Sequence, residues 1–111
     1  MGGPVKRITL FKVKNQDDIP TILDQYKDVK TKALKDGKPY ILAIQAGPTH
    51  DDPRSMGYNF CAYTSFASLE DMQYYDTQCE AHAALKAVLI PLVAPPPMTV
   101  YLDVEKSVGG Q

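Results

Sequence analysis

Apolar and polar residues alternate from Val5 to Lys14 (VKRITLFKVK), with Arg7, Thr9, Phe11 and Val13 on one face and Lys6, Ile8, Leu10 and Lys12 on the other. A period of two is the signature of a β-strand. Both faces carry apolar residues, so the strand calls for cover on both sides. The period then lengthens. Ile19, Ile22, Leu23, Tyr26, Val29 and Leu34 recur at helical spacing. Asn15 to Asp18 supplies capping residues, and Pro20 lies in the first turn, where its missing N–H costs nothing. The helix is expected to reach Leu34 or Lys35 before Gly37 and Pro39 stop it. Tyr40 to Ala46 reads as a second strand, apolar on both faces apart from Gln45. Gly47 to Gly57 (GPTHDDPRSMG) reads as an exposed loop, and Tyr58 to Phe66 as a third strand.

The longest helical pattern opens at Ser68 and is expected to end around Leu92, since Pro91 and then Pro95 to Pro97 cannot continue a helix. Ser68 and Asp71 have the spacing of a capping box, the hydroxyl accepting the Asp71 N–H and the carboxylate answering back. Met72, Tyr75, Cys79, His82, Leu85 and Leu89 form the apolar stripe, so a titratable imidazole stands within it. On one unbroken helix, Tyr75 and His82 lie two turns apart on the same face. Met98 to Val104 is the last strand, and Glu105 to Gln111 a polar tail.

The order strand, helix, strand, strand, helix, strand predicts an α+β, ferredoxin-like βαββαβ plait: a four-stranded antiparallel sheet with both helices on one face. The other face would carry Ile8, Leu10, Ile41, Cys61, Tyr63, Val100 and Leu102. Leaving so many apolar groups in water is costly, which predicts a homodimer formed sheet to sheet. Residues 1–111 read as a single domain with flexible ends at about 1–4 and 106–111.

Composition narrows the chemistry. A net charge of −1 gives no electrostatic footprint for nucleic acid. The lysines at 27, 30, 32, 35 and 38 are interspersed with Asp24, Asp28 and Asp36, as on a solvated helix face. No apolar run is long enough to span a membrane, and no charged-then-apolar leader is visible, so the expectation is a cytoplasmic protein. Met1-Gly2-Gly3 invites comparison with a myristoylation signal, but Lys6 stands where that signal has Ser or Thr. Cys61 and Cys79 are too few for a disulfide framework, lack zinc spacing, and read as small hydrophobes. Thr49-His50-Asp51-Asp52 offers ligand atoms only in one contiguous loop, so no metal site is assigned. No phosphate loop or nucleophile elbow occurs, so no cofactor is expected.

The opening VKRITLFKVK, the Gly57-Tyr58 pair before the third strand, and the acidic SLEDMQYY segment leading to Ala81-His82 resemble the dimeric α/β-barrel, or stress-responsive A/B-barrel, family. The resemblance runs from Val5 to about Glu105. It implies two plaits packed sheet to sheet, each keeping a cleft between its own sheet and helices. Members include plant stress-induced proteins and a polyketide cyclase. In the cyclase, a His on the second helix and a Tyr shortly before it transfer protons; His82 matches the first and Tyr75 is nearest the second. Arg7 and Phe60 stand where the cyclase has further histidines. The resemblance puts Phe11, Ile22, Leu23, Tyr26, Ala62, Leu85 and Tyr101 at cleft positions, with Thr9 and Phe60 beside them.

His82 would then be a general base and Tyr75 an orienting acid, acting on a small hydrophobic, aromatic or polyketide-like molecule in a cyclisation or isomerisation. Arg7 either holds an anion at the cleft mouth or pairs with Asp103 or Glu105. The alternative is a non-catalytic, stress-associated assembly protein in which His82 packs and Tyr26, Phe60 and Tyr101 fill the cleft.

Overall fold

A computed structural model describes residues 3–109 of the chain. Strand β1 (Val5–Val13), helix α1 (Ile19–Lys32), strands β2 (Ile41–Pro48) and β3 (Phe60–Phe66), helices α2 (Leu69–Thr77) and α3 (Glu80–Leu89), and strand β4 (Val93–Asp103) follow one another. The strands form one sheet in the order β2-β3-β1-β4, antiparallel throughout. This is the ferredoxin-like plait, α+β in class. Residues 1, 2, 110 and 111 of the ends expected to be flexible lie outside the described residues. Inside them the tail is less loose than its polarity suggests. Val104–Lys106 makes a 3-10 turn, and the Val104 N–H bonds the Pro4 carbonyl at 3.0 Å.

The period-two pattern of β1 maps directly onto burial. Val5, Arg7, Thr9, Phe11 and Val13 are buried beneath the helices, and the residues between them are half-buried on the open face. Phe11, Ile22, Val29, Phe60, Phe66, Met72, Leu85 and Leu89 belong to one core between sheet and helices. Each large apolar side chain buried there contributes roughly 1.5–3 kcal/mol.

Several details differ from the pattern-based expectation. Asn15 does cap, accepting the Asp17 N–H, but a 3-10 turn (Gln16–Asp18) precedes α1. The far end of α1 stops at Lys32 rather than at Leu34 or Lys35. There Lys35 and Lys38 pair across a tight turn in which Asp36 and Gly37 take φ of 53° and 77°. In β2 a register shift between Ile41 and Ala43 turns Ile41 toward the core, not toward the open face. Finally, β4 begins at Val93, well before Met98, and runs through Pro95, Pro96 and Pro97. It is an edge strand, and the register to β1 slips between Leu10 and Lys12 beside the prolines, so their missing N–H groups break no ladder.

The open face carries Ile8, Leu10, Cys61, Tyr63, Met98, Val100 and Leu102 by register, and the last three are exposed. Cys61 and Cys79 are free thiols. Among the described residues no helix is long and apolar enough to cross a membrane.

Candidate functional site

The single long helix expected from Ser68 to Leu92 is two helices. Ser68 caps the first as expected, its hydroxyl accepting the Asp71 N–H at 3.1 Å. The Asp71 carboxylate does not answer back; it bonds Lys35 Nζ at 2.6 Å. At the break, the N–H groups of Gln78 and Cys79 both converge on the Tyr74 carbonyl, at 2.8 and 3.0 Å. Cys79 is extended (φ −73°, ψ 116°), and α3 starts afresh at Glu80.

The break releases the Tyr75 carbonyl, which in a continuous helix would accept the Cys79 N–H. His82 takes it instead: Nδ1 lies 2.8 Å from that oxygen. The two rings stack with centroids 3.7 Å apart and planes 10° from parallel. On an unbroken helix seven residues would separate them by about 10 Å of rise. The helix break therefore turns two stripe neighbours into a stacked pair.

A carbonyl only accepts, so Nδ1 carries the ring proton and Nε2 keeps its lone pair. Burial depresses the imidazole to about 4; Arg7 and Lys86 push in the same direction, against the Tyr75 carbonyl bond and Asp76. At neutral pH His82 is the free base in one defined tautomer.

Arg7 does not pair with Asp103 or Glu105. Its Nη2 lies 2.8 Å from Asp76 Oδ1, near the end of α2, and its guanidinium carbon is 5.2 Å from the centre of the Tyr75 ring. Lys86 Nζ donates to the Asp76 carbonyl at 3.2 Å, occupying another end carbonyl of α2. Thr9 and Thr99, opposite one another on β1 and β4, share a hydroxyl–hydroxyl hydrogen bond of 3.0 Å.

These groups surround a cavity of about 570 Å³ between β1, β4 and α3. Of the expected site residues, Arg7, Thr9, Phe11, Tyr26, His82 and Leu85 lie in its wall. Ile22, Phe60 and Ala62 are buried in the core, with Leu23 packed against it. Phe60 stacks on Tyr26 (6.0 Å between centroids) and meets Phe11 edge-on at 6.3 Å, supporting two wall rings rather than filling the space. Tyr101 pairs with Arg7 across the sheet but is 55% exposed and stands outside the wall. Tyr75 is also outside the wall, 1% exposed against His82, and burial raises its phenol. The phenol that does line the cavity is that of Tyr26, likewise raised by burial.

Sequence reasoning missed Asp76, Lys86, Leu89, Ile90, Val93, Pro95, Pro97 and Thr99, all in the wall. Lys86 and Leu89 follow His82 at i+4 and i+7, so its own helical face could have found them. Pro95, Pro97 and Thr99 could not be placed without the register slip in β4.

The sequence profile of the stress-responsive A/B barrel domain matches residues 5–105. The Fusaristatin A biosynthesis cluster protein of Gibberella zeae is 40% identical over 105 residues, covering 95% of this chain and 76% of that protein. Two solved structures share the fold at low identity. A dimeric ferredoxin-like protein of unknown function from Thermobifida fusca superposes with a TM-score of 0.74 at 15% identity, over 94% of this chain and 93% of that one. A hydroxynitrile lyase from Passiflora edulis gives 0.76 at 14% identity, over 98% and 100%.

Proposed function

Since the chain belongs to the stress-responsive A/B barrel family, we propose that it is a sheet-to-sheet homodimer whose cleft binds a small hydrophobic, aromatic or polyketide-like molecule and moves a proton on it without a cofactor. The observation that carries this reading is the cavity of about 570 Å³, largely apolar, with the His82 ring in its wall and only Nδ1 of that ring bonded to the protein. The similarity to a biosynthesis cluster protein agrees with a small-molecule substrate.

In this reading Nε2 takes a proton from a bound carbon acid or hydroxyl. Imidazolium formed there is disfavoured by burial, Arg7 and Lys86. The proton therefore returns to the substrate within the same turnover, as a cyclisation or isomerisation requires. Tyr75 acts as the platform that fixes the ring plane and tautomer. Tyr26, the phenol in the wall, stands where it can donate to a developing enolate oxygen.

The test is a titration of small aromatic and polyketide-like compounds, followed through the ring resonances of His82 in wild type and by calorimetry in both wild type and His82→Phe. Phenylalanine keeps a ring against Tyr75 but has no nitrogen. Saturable binding that shifts His82, with turnover of a ligand abolished in His82→Phe, is the expected result. Turnover unchanged in His82→Phe would leave His82 a packing residue, and the absence of both binding and turnover in wild type would favour a non-catalytic assembly role.

A further inference from the structure

Resting on the reading that His82 is the base of the cleft, we infer that Asp76 is its positioning residue, a side chain that ties α2 and α3 to the sheet so that Nδ1 stays on the Tyr75 carbonyl and Nε2 stays free for the cavity.

The last carbonyls of a helix have no partner within it. In α2 they are taken from outside, and in order. The Tyr74 carbonyl accepts from Gln78 and Cys79, the Tyr75 carbonyl from His82 Nδ1, and the Asp76 carbonyl from Lys86 Nζ at 3.2 Å. His82 and Lys86 stand one turn apart on α3, so two side chains on one face of that helix grip successive carbonyls of α2. This grip sets the two helices against each other. The pair must still be registered against the sheet, which supplies the rest of the cavity wall. The Asp76 carboxylate does this, with Oδ1 2.8 Å from Nη2 of Arg7. Arg7 is mid-strand in β1, opposite Thr64 on β3 and Tyr101 on β4, in the middle of the sheet. Two successive residues, Tyr75 and Asp76, thus hold His82, Lys86 and Arg7 together.

Helix stability does not explain an acid at this place. The last turn of a helix is its negative end and favours a cation, yet α2 has no basic residue there and carries Asp76 instead. The Arg7 side chain, 9% exposed, needs an acid beside it. An acid on the sheet would serve that need equally well. Coming from the end of α2, the carboxylate also bridges two layers, one residue from the carbonyl that selects the His82 tautomer. The guanidinium so held lies 5.2 Å from the centre of the Tyr75 ring on which His82 stacks. Both the carbonyl and the ring that fix the imidazole therefore rest on the Asp76–Arg7 pair.

The experiment reads the His82 tautomer from long-range proton–nitrogen spectra of the full chain at pH 7, without ligand. The His82 signals are those missing in His82→Phe. Wild type should show the Nδ1–H form alone. Asp76→Asn keeps an oxygen for Arg7 and should keep that tautomer. Asp76→Ala and Arg7→Met each cut the tie and should let the Nε2–H form rise to roughly one part in ten or more. The double variant should show no more of it than either single one, because all three remove the same contact. It leaves neither charge unpaired, so it decides if a single variant does not fold. Urea midpoints are measured alongside. A lowered midpoint with the Nδ1–H form intact in Asp76→Ala or in the double variant would make Asp76 a structural ion pair and overturn the assignment. Mixed tautomers in wild type would overturn it too. Because no ligand enters, the result stands apart from the test of the base: turnover unchanged in His82→Phe removes the base, and an unmoved tautomer removes the tie.

Discussion

At the level of single residues, the His82 imidazole ties the site to the stability of the fold. Its folded value of about 4 lies below the ordinary 6.5 because burial opposes its charge. The unfolded chain therefore binds a proton more readily between those values, and the native state loses ground as pH falls through that window. The share due to His82 is present in full above pH 6.5 and is lost by about pH 4, up to about 3 kcal/mol. Urea unfolding at pH 7 and pH 4.5 should show His82→Phe with a markedly flatter acid dependence than wild type. Equal slopes would mean that the ring is protonated as easily inside the fold as outside.

Among the elements, small polar groups set boundaries that the hydrophobic pattern blurs. Asn59, just before β3, accepts the Val13 N–H through Oδ1 at 2.7 Å and donates from Nδ2 to the Val13 carbonyl at 3.0 Å. The side chain thus extends the ladder past the backbone pairing of β1 with β3, which ends at Phe11 and Phe60. Asn59→Ala removes both bonds and should cost about 1–3 kcal/mol in chemical denaturation, without altering the cavity. The same contrast governs what the chain discloses in advance. The number, type and order of strands, the helix-side face of β1 and the place of His82 in a buried stripe all follow from periodicity. The split at Gln78 does not, because Cys79 preserves the apolar spacing while the backbone there turns extended. Hence His82 could be expected to face the interior, but not to lie flat on Tyr75. Tyr101 stands outside the cavity wall for a related reason. Its alternation put it on the helix side, and the register agrees, but an edge strand has no helix above that position.

For the whole molecule, the unresolved balance is the open sheet face. Met98, Val100 and Leu102 are exposed there beside Ile8, Leu10 and Tyr63, a contiguous apolar surface on a small chain. The dimeric neighbour from Thermobifida fusca shares this plait. Val100→Lys places a charge in the middle of that surface and should shift the protein from dimer to monomer in light scattering at micromolar concentration. A wild-type monomer under the same conditions would remove the sheet-to-sheet assembly.

The three prolines of β4 bear on assembly in a different way. An edge strand normally offers a row of amide hydrogens on which a foreign strand can template, the route to domain swapping and fibril growth. Pro95, Pro96 and Pro97 have no such hydrogens to offer. Over that stretch the margin of the sheet is chemically blank to an incoming backbone, so strand-by-strand growth into open-ended polymers finds no purchase there.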